Sequence, residues 1–296
     1  RPKPEKKKLI NYLKDKNIQT IHTLVSTHPH ADHIGGLPAV IKNFEVKSVY
    51  GSGQIHTTQT YERYLQLIDQ YDLSFSTPRR GETINLGNLK FKVLHPREEI
   101  SEYSLNNASL VLKLDYKETS FLFPGDIETK GEQKLLNHFS NLETEVLKVA
   151  HHGSNSSTSQ SFLQAVQPEI AVISLGADNR YGHPHPELLS RLEQYETKIY
   201  RTNRHGTVVI TADSQGYKVQ PEVNQPEVTR ENEALININT APASQLQNLN
   251  GIGPILAKRI INYRKEKGAF QSKEELKQVN GIGPGRLEKI ETKITL

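Results

Sequence analysis

Short runs of β-branched, aromatic and other apolar residues, each closed by turn residues, recur from Thr20 to Ala212. Runs of this kind predict strands. The pattern places them at Thr20–Ser26, Lys47–Tyr50, Leu89–Leu94, Ser109–Asp115, Ser120–Phe123, Val146–Ala150, Ile170–Leu175, Lys198–Arg201 and Thr207–Ala212. Between them lie stretches that predict helices: Leu9–Lys14, Ile34–Phe44, Thr58–Tyr71, Lys130–Phe139, Ser159–Val166 and Pro186–Glu196. Ser157 with Gln160 suits a capping box ahead of the fifth. The opening Arg1–Lys8 reads as a solvated tail. Strands interleaved with covering helices predict an α/β layered fold. From Gln220 to Glu233 periodicity stops and Pro, Asn and Gln accumulate, as in a linker. Helical patterning resumes beyond it. The expected organisation is a first domain over 1–219, a linker over 220–233 and a small all-α domain over 234–296.

At 296 residues, two domains with a proper core are expected. The mean hydropathy of −0.60 marks soluble globular material, and no apolar run reaches the ~18 residues of a membrane span. The chain begins at Arg1 and contains no Met. It therefore reads as processed or as a fragment, and the lack of a visible signal peptide is silent on location. There is no Cys, so disulfides and thiolate metal sites are excluded and any metal is held by His and carboxylate. Charge is uneven. Residues 234–296 carry 10 Lys and Arg against 5 Glu, whereas the remainder carries 27 basic against 28 acidic residues. A polyanion partner is expected for the C-terminal segment.

The densest chemistry follows the first predicted strand, in Ser26-Thr27-His28-Pro29-His30-Ala31-Asp32-His33. Imidazole and carboxylate are the ligands a divalent metal of intermediate hardness takes. His28 and His30, two apart on extended chain, point the same way. Asp32 and His33 sit where a helix begins, so one segment can serve two adjacent metals. Three further predicted strands end in ligand-type groups: His95, Asp126 and the pair His151-His152. Ends gathered at one sheet edge predict a pocket there. Two metals ~3.5–4 Å apart can activate a shared water and neutralise charge on phosphoryl oxygens. No Ser-His-Asp or Cys-His nucleophile is needed, and without a Gly-rich phosphate loop no nucleotide cofactor is expected. In Tyr181-Gly182-His183-Pro184-His185-Pro186, His183 is a candidate substrate binder or proton donor; a rigid turn is the alternative. Thr202-Asn203-Arg204-His205-Gly206 is a further candidate.

The HxHxDH arrangement resembles the metallo-β-lactamase superfamily, which implies an αββα sandwich. Longer strings resemble its branch in the ComEC competence proteins: Ser26 to Gly36, Asn106 to Leu112, Phe123 to Ile127, Leu147 to Ser154 and Tyr181 to Pro186. The resemblance assigns roles. His28, His30 and His95 would bind one metal. Asp32, His33 and His152 would bind the other, and Asp126 would bridge them. Asp32 would also orient the attacking hydroxide, and His151 would meet substrate phosphate. The ions would be zinc or manganese. The branch's opening strands, with their DVGQGD-like and Asp-Gly-Gly-like motifs, are not in this sequence, so the sandwich is expected without them. The implied activity is that of a deoxyribonuclease in DNA uptake, extracellular or at the bacterial cell surface. Its rivals are another ester hydrolase of the superfamily (choline-phosphate esterase or lactonase type) and a DNA-binding adaptor without catalysis.

Asn250-Gly251-Ile252-Gly253-Pro254 recurs verbatim as Asn280-Gly281-Ile282-Gly283-Pro284. Each copy opens a predicted helix whose first N–H groups can hold an anion. Lys258 and Arg259 follow the first copy, and Arg286 and Lys289 the second. Gly268 suits a C-cap, and Ser272 with Glu275 a capping box. Residues 235–296 are similar to the tandem helix-hairpin-helix module of ComEA-type receptors. That likeness implies a grip on DNA phosphates, without base reading, through Gly251, Gly253, Lys258, Arg259, Gly281, Gly283, Arg286 and Lys289.

Overall fold

Strands Thr20–Ser26 (β1), Glu45–Gly51 (β2) and Ser74–Ser76 (β3) form a small all-parallel sheet in a computed structural model that describes residues 4–97, 100–177, 179–223, 235–247, 249 and 251–296. A second sheet has seven strands: Thr83–Leu86 (β4), Leu89–His95 (β5), Val111–Tyr116 (β6), Thr119–Phe123 (β7), Val146–Lys148 (β8), Ile170–Ile173 (β9) and Lys198–Arg201 (β10). Its order is β10-β9-β8-β7-β6-β5-β4. The strands from β7 to β10 run parallel, and β4 to β7 alternate in direction. A separate hairpin joins Val208–Asp213 (β11) to Gly216–Pro221 (β12).

The chain divides into two compact units, Arg1–Gln225 and Pro226–Leu296. In the first, the two sheets meet through Ile84, Val93, Leu110 and Leu112, against which Val25 and Tyr50 pack. The largest cluster, including Leu122, Leu147, Phe162, Leu163 and Leu188, lies between the long sheet and its helices Gln160–Val166 and Pro186–Gln194. A third cluster packs Tyr64 and Leu67 of the helix Gln59–Gln70 over Val49 of the short sheet. Each helix thus presents one apolar stripe to a sheet, the arrangement expected of layers.

Several elements differ from expectation. The first helix spans Pro4–Asp15, so it takes in most of the stretch read as a tail; its Glu and Lys residues are good helix formers. The helix expected over Ile34–Phe44 is two helices, Ala31–Ile34 and Leu37–Asn43, because Gly35 and Gly36 part them and Pro38 starts the second. Strand β8 stops at Lys148 instead of Ala150, where the chain turns into Ala150–Gly153. Ser157 is no cap: Ser159 is, its side chain accepting from the Phe162 N–H. Short β3, β4 and β12 had too few apolar residues to register. Gln220 and Pro221, assigned to the linker, close β12 instead, and the linker from 224 to 233 lies outside the described residues.

The second unit pairs Ile236–Asn237 (β13) with Ile294–Thr295 (β14), bringing its ends together. It is therefore not purely helical. Between them lie helices Ala243–Leu246, Pro254–Lys267 and Pro284–Ile290 and the 3-10 turn Lys273–Gln278. Its core holds Leu246, Ile252, Ala257, Ile260, Phe270, Leu276, Ile282, Leu287 and Ile290. Gly268 ends the long helix at φ 92°. Ser272 makes no side-chain capping bond: the Glu275 N–H goes to the Ser272 carbonyl, and the Glu275 carboxylate accepts the Gln271 N–H.

Candidate metal centre

The parallel strands β7, β8 and β9 all end at one edge of the long sheet, and β1 of the short sheet ends beside it: the Leu110 N–H donates to the Thr27 carbonyl at 2.8 Å. Open α/β sheets bind ligands at such an edge. The loop after β1 supplies His28 and His30, and the helix Ala31–Ile34 supplies Asp32 and His33. The turn after β7 supplies Asp126, and the turn after β8 supplies His151 and His152.

These deliveries converge. Ligand atoms of Asp32, His33, Asp126 and His152 lie within 4.8 Å of one another. His33 Nε2 is 3.0 Å from Asp126 Oδ2 and 3.1 Å from His152 Nε2. His152 Nε2 is 3.3 Å from Asp32 Oδ2 and 3.5 Å from Asp126 Oδ2. His152 gives its Nδ1–H to the Ser174 carbonyl at 2.7 Å. In the neutral ring that bond leaves Nε2 as a lone pair aimed into the cluster, the orientation seen for metal-bound imidazoles. Facing imidazole nitrogens and two carboxylates share too few protons to satisfy one another, and buried Asp126 Oδ1 has no hydrogen bond. A divalent cation fits this donor set.

His28 and His30 lie next to it. His28 is only 1% exposed. Its Nε2 is 3.0 Å from His30 Nδ1 and 3.9 Å from Asp126 Oδ2. Burial, with His33 adding to it, pulls His28 down to about 3. Burial opposes ionisation of Asp126, yet His33, Lys148 and His152 outweigh it and hold the carboxyl well below the usual range. The His152 hydrogen bond likewise keeps Asp32 ionised. For His152 itself, burial favours the neutral ring, but Asp32 and Asp126 prevail and raise it.

His95 is not brought to the cluster. It ends β5, at the expected edge, but β6 lies between β5 and β7; two strand spacings carry it about 9–10 Å sideways from the end of β7. The ladder with β6 also shifts between Val93 and His95. The ring instead gives Nε2–H to the Asn107 carbonyl and packs edge-on against Tyr103. Ser109, just before β6, occupies the intervening place. Its hydroxyl is 3.4 Å from His28 Nδ1 and accepts the Asp126 N–H at 3.0 Å. Gly125 permits that approach: it turns at φ +61°, and a Cβ there would stand 2.7 Å from Ser109 Cβ.

Lys148, also outside the expected site, places Nζ 3.8 Å from Asp126 Oδ1 and 3.5 Å from the Gly125 carbonyl. Asn107 accepts from the Glu128 and Gly131 N–H groups and donates to Glu128, whose Oε1 lies 3.8 Å from His151 Nδ1. Nothing local marked Lys148, Ser109 or Glu128. His151 and His152 are both left-handed, with φ of 48° and 54°. Such non-glycine conformations are costly, and they cluster at functional sites. His183 meets His151 ring to ring at 5.9 Å, and burial followed by its histidine neighbours lowers its pKa. In the other candidate segment, Thr202 bonds both the N–H and the carbonyl of Leu175, beside Ser174. His205 turns to the Arg201 backbone and Tyr200.

In the second unit, Gly251 and Gly281 turn at φ of 80° and 95°. Gly253 and Gly283 occupy the N-cap positions of the two repeat helices. Lys258 and Lys289 are exposed. Arg259 donates to the Asn280 carbonyl in the other copy, and Arg286 donates to the Gly281 carbonyl.

Residues 2–177 match the metallo-beta-lactamase superfamily, and residues 231–295 match the helix-hairpin-helix motif. Over 228 residues the chain is 34% identical to ComE operon protein 3 of Bacillus subtilis (strain 168), covering 76% of this chain and 29% of that protein. Over 204 residues it is 31% identical to competence protein ComA of Neisseria gonorrhoeae, covering 69% of this chain and 27% of that one. The C-terminal part is 49% identical over 63 residues to ComE operon protein 1 of Bacillus subtilis (strain 168), covering 21% of this chain and 31% of that protein. The chain thus spans under a third of the length of each. No helix among the described residues is long and apolar enough to cross a membrane.

Proposed function

The chain belongs to the metallo-beta-lactamase superfamily, and from that premise we propose that it hydrolyses phosphodiester bonds in DNA with divalent metal, in a competence or extracellular DNA-processing setting. The observation that carries the reading is the four-ligand cluster at the strand edge in a chain that also carries a helix-hairpin-helix domain. Relatives named for competence support the setting.

Asp32, His33, Asp126 and His152 would hold one ion; His28, His30 and Asp126 would hold a second, without His95. A bound divalent ion supplies Lewis acidity that brings water toward ionisation near neutral pH and offsets phosphoryl charge. The chain's own groups do the rest. Lys148 fixes the Asp126 carboxylate from its far oxygen. Asp32, the most exposed of the four, accepts a proton or hydrogen bond from the attacking water. His151, 3.8 Å from Glu128, and His183, which meets its ring, would each donate a hydrogen bond to a phosphoryl or leaving-group oxygen. The C-terminal domain would hold the polyanion through Lys258, Lys289 and the helix N-termini. A covalent tether keeps the strand at high effective concentration near the cluster.

The test is to incubate the chain with Mn²⁺ or Zn²⁺ and with single- or double-stranded DNA, beside Asp126→Ala. Metal-dependent cleavage by the parent alone is expected. Equal cleavage by both proteins, or cleavage only of a choline-phosphate ester or lactone, would sink the reading.

A further inference from the structure

Two of the most exposed large apolar side chains among the described residues lie close to this cluster along the chain or in space. Ile55 is 78% exposed and Tyr181 is 79% exposed. Each adjoins a histidine whose ring meets a histidine of the centre. Next to Ile55, His56 lies 6.1 Å from His30, ring to ring. Tyr181 lies along His183 at 5.7 Å and 26°, and His183 meets His151 edge-on at 5.9 Å. The rings Tyr181, His183 and His151 thus run from solvent to the residue beside His152.

Scattered exposed apolar residues are ordinary. An exposed tyrosine with one face on a histidine and the other in water, at the mouth of a polar site, is a ready platform for a flat ring. We propose that Tyr181 binds a nucleobase by stacking, with exposed Ile55 as a further apolar contact beside the site, so that the site takes a strand whose bases are unpaired. The proposal rests on the nucleic-acid reading of the centre and adds the state of the substrate. Duplex bases are stacked on one another and closed to Tyr181, whereas a single strand offers each base face.

The experiment uses the full chain with Mn²⁺ and a phosphorothioate-linked single strand carrying 2-aminopurine, whose fluorescence falls on stacking. Quenching is expected with the parent and with Tyr181→Phe, is lost with Tyr181→Ala, and is absent for the same sequence as a duplex. With an unmodified single strand, Tyr181→Ala should raise KM about tenfold, the range of one lost base–aromatic stack, with kcat little changed. A strand made abasic near the scissile bond should show no such difference. Absence of quenching with the parent, or equal quenching with all three proteins, would overturn the proposal. So would a KM rise that persists with the abasic strand. Quenching is read without hydrolysis. A chain that quenches but never cleaves overturns the nuclease reading alone; one that cleaves through the metal but does not quench overturns the base site alone.

Discussion

His95 gives its Nε2–H to the carbonyl of Asn107 at 2.7 Å. A carbonyl only accepts, so this nitrogen carries the proton and is not free to bind metal. The ring is buried and neutral. Burial chiefly, with Lys134 and Arg80 adding repulsion, pulls it from 6.5 to about 4 against the pull of the Asn107 carbonyl.

That shift sets a pH dependence. Between pH 6.5 and about 4 the unfolded chain protonates this histidine and the folded chain does not. Its contribution is therefore complete above pH 6.5 and is lost as pH falls toward 4, by about 3 kcal/mol at most. Glutamine can still donate to Asn107 but does not titrate. Urea unfolding of the metal-free protein at pH 7 and pH 4.5 should show a smaller acid loss in His95→Gln than in the parent. Equal losses would show that another group dominates.

Metal affinity should separate the histidines. Isothermal titration with Zn²⁺ or Mn²⁺ should show His152→Ala and Asp126→Asn weakening binding by more than about 100-fold, beyond the 10–100-fold typical of outer partners. His95→Gln should leave affinity and stoichiometry unchanged. A lost ion in His95→Gln would restore it to the ligand set.

Removing metal should also destabilise the first unit. Ligand binding at 100 times Kd adds about 2.7 kcal/mol to the folded state. Differential scanning calorimetry should show its transition moving down with chelator and back with Mn²⁺, while that of the second unit stays put.

The two glycines of the second repeat should differ sharply. Gly281 sits at φ +95°, and a Cβ there would stand 2.8 Å from Leu256 Cδ2, whereas nothing crowds Gly283. Gly281→Ala should cost the C-terminal unit about 1–3 kcal/mol and Gly283→Ala well under about 1, read as shifts in its thermal transition.

DNA binding by the same unit should be salt-sensitive and indifferent to sequence. Replacing Lys258 or Lys289 with Gln should each lower the slope of log affinity against log salt by about 1. Deleting residues 235–296 should abolish the high-affinity mode, as seen by fluorescence anisotropy.

Much of this was readable in advance. The convergence of candidate ligands that follow strand ends was legible because the chain must leave a parallel sheet at one edge, and Asp32, His33, Asp126 and His152 come together there. His95 shows the limit. Position along a strand is legible in sequence, but strand order is not, and two intervening spacings decide whether a side chain arrives. Ser109 fills that gap by virtue of the order alone. Lys148 was hidden differently: a lysine in an apolar run looks solvated until the neighbouring carboxylate is known. The shortened β8 reflects local conformation at His151 and His152 that residue type did not announce, since positive φ is uncommon for any non-glycine residue.

Two arginines of the C-terminal unit, Arg259 and Arg286, reach toward the other copy. Arg259 of the first holds the turn of the second, and Arg286 of the second lies 3.3 Å from where a Cβ on Gly251 of the first would stand. Duplication here yielded complementary halves, not independent copies. The second hairpin, produced alone, would lose the bond Arg259 gives to its Asn280 carbonyl and keep only the one its own Arg286 gives to Gly281, so the pair is the part to transplant intact.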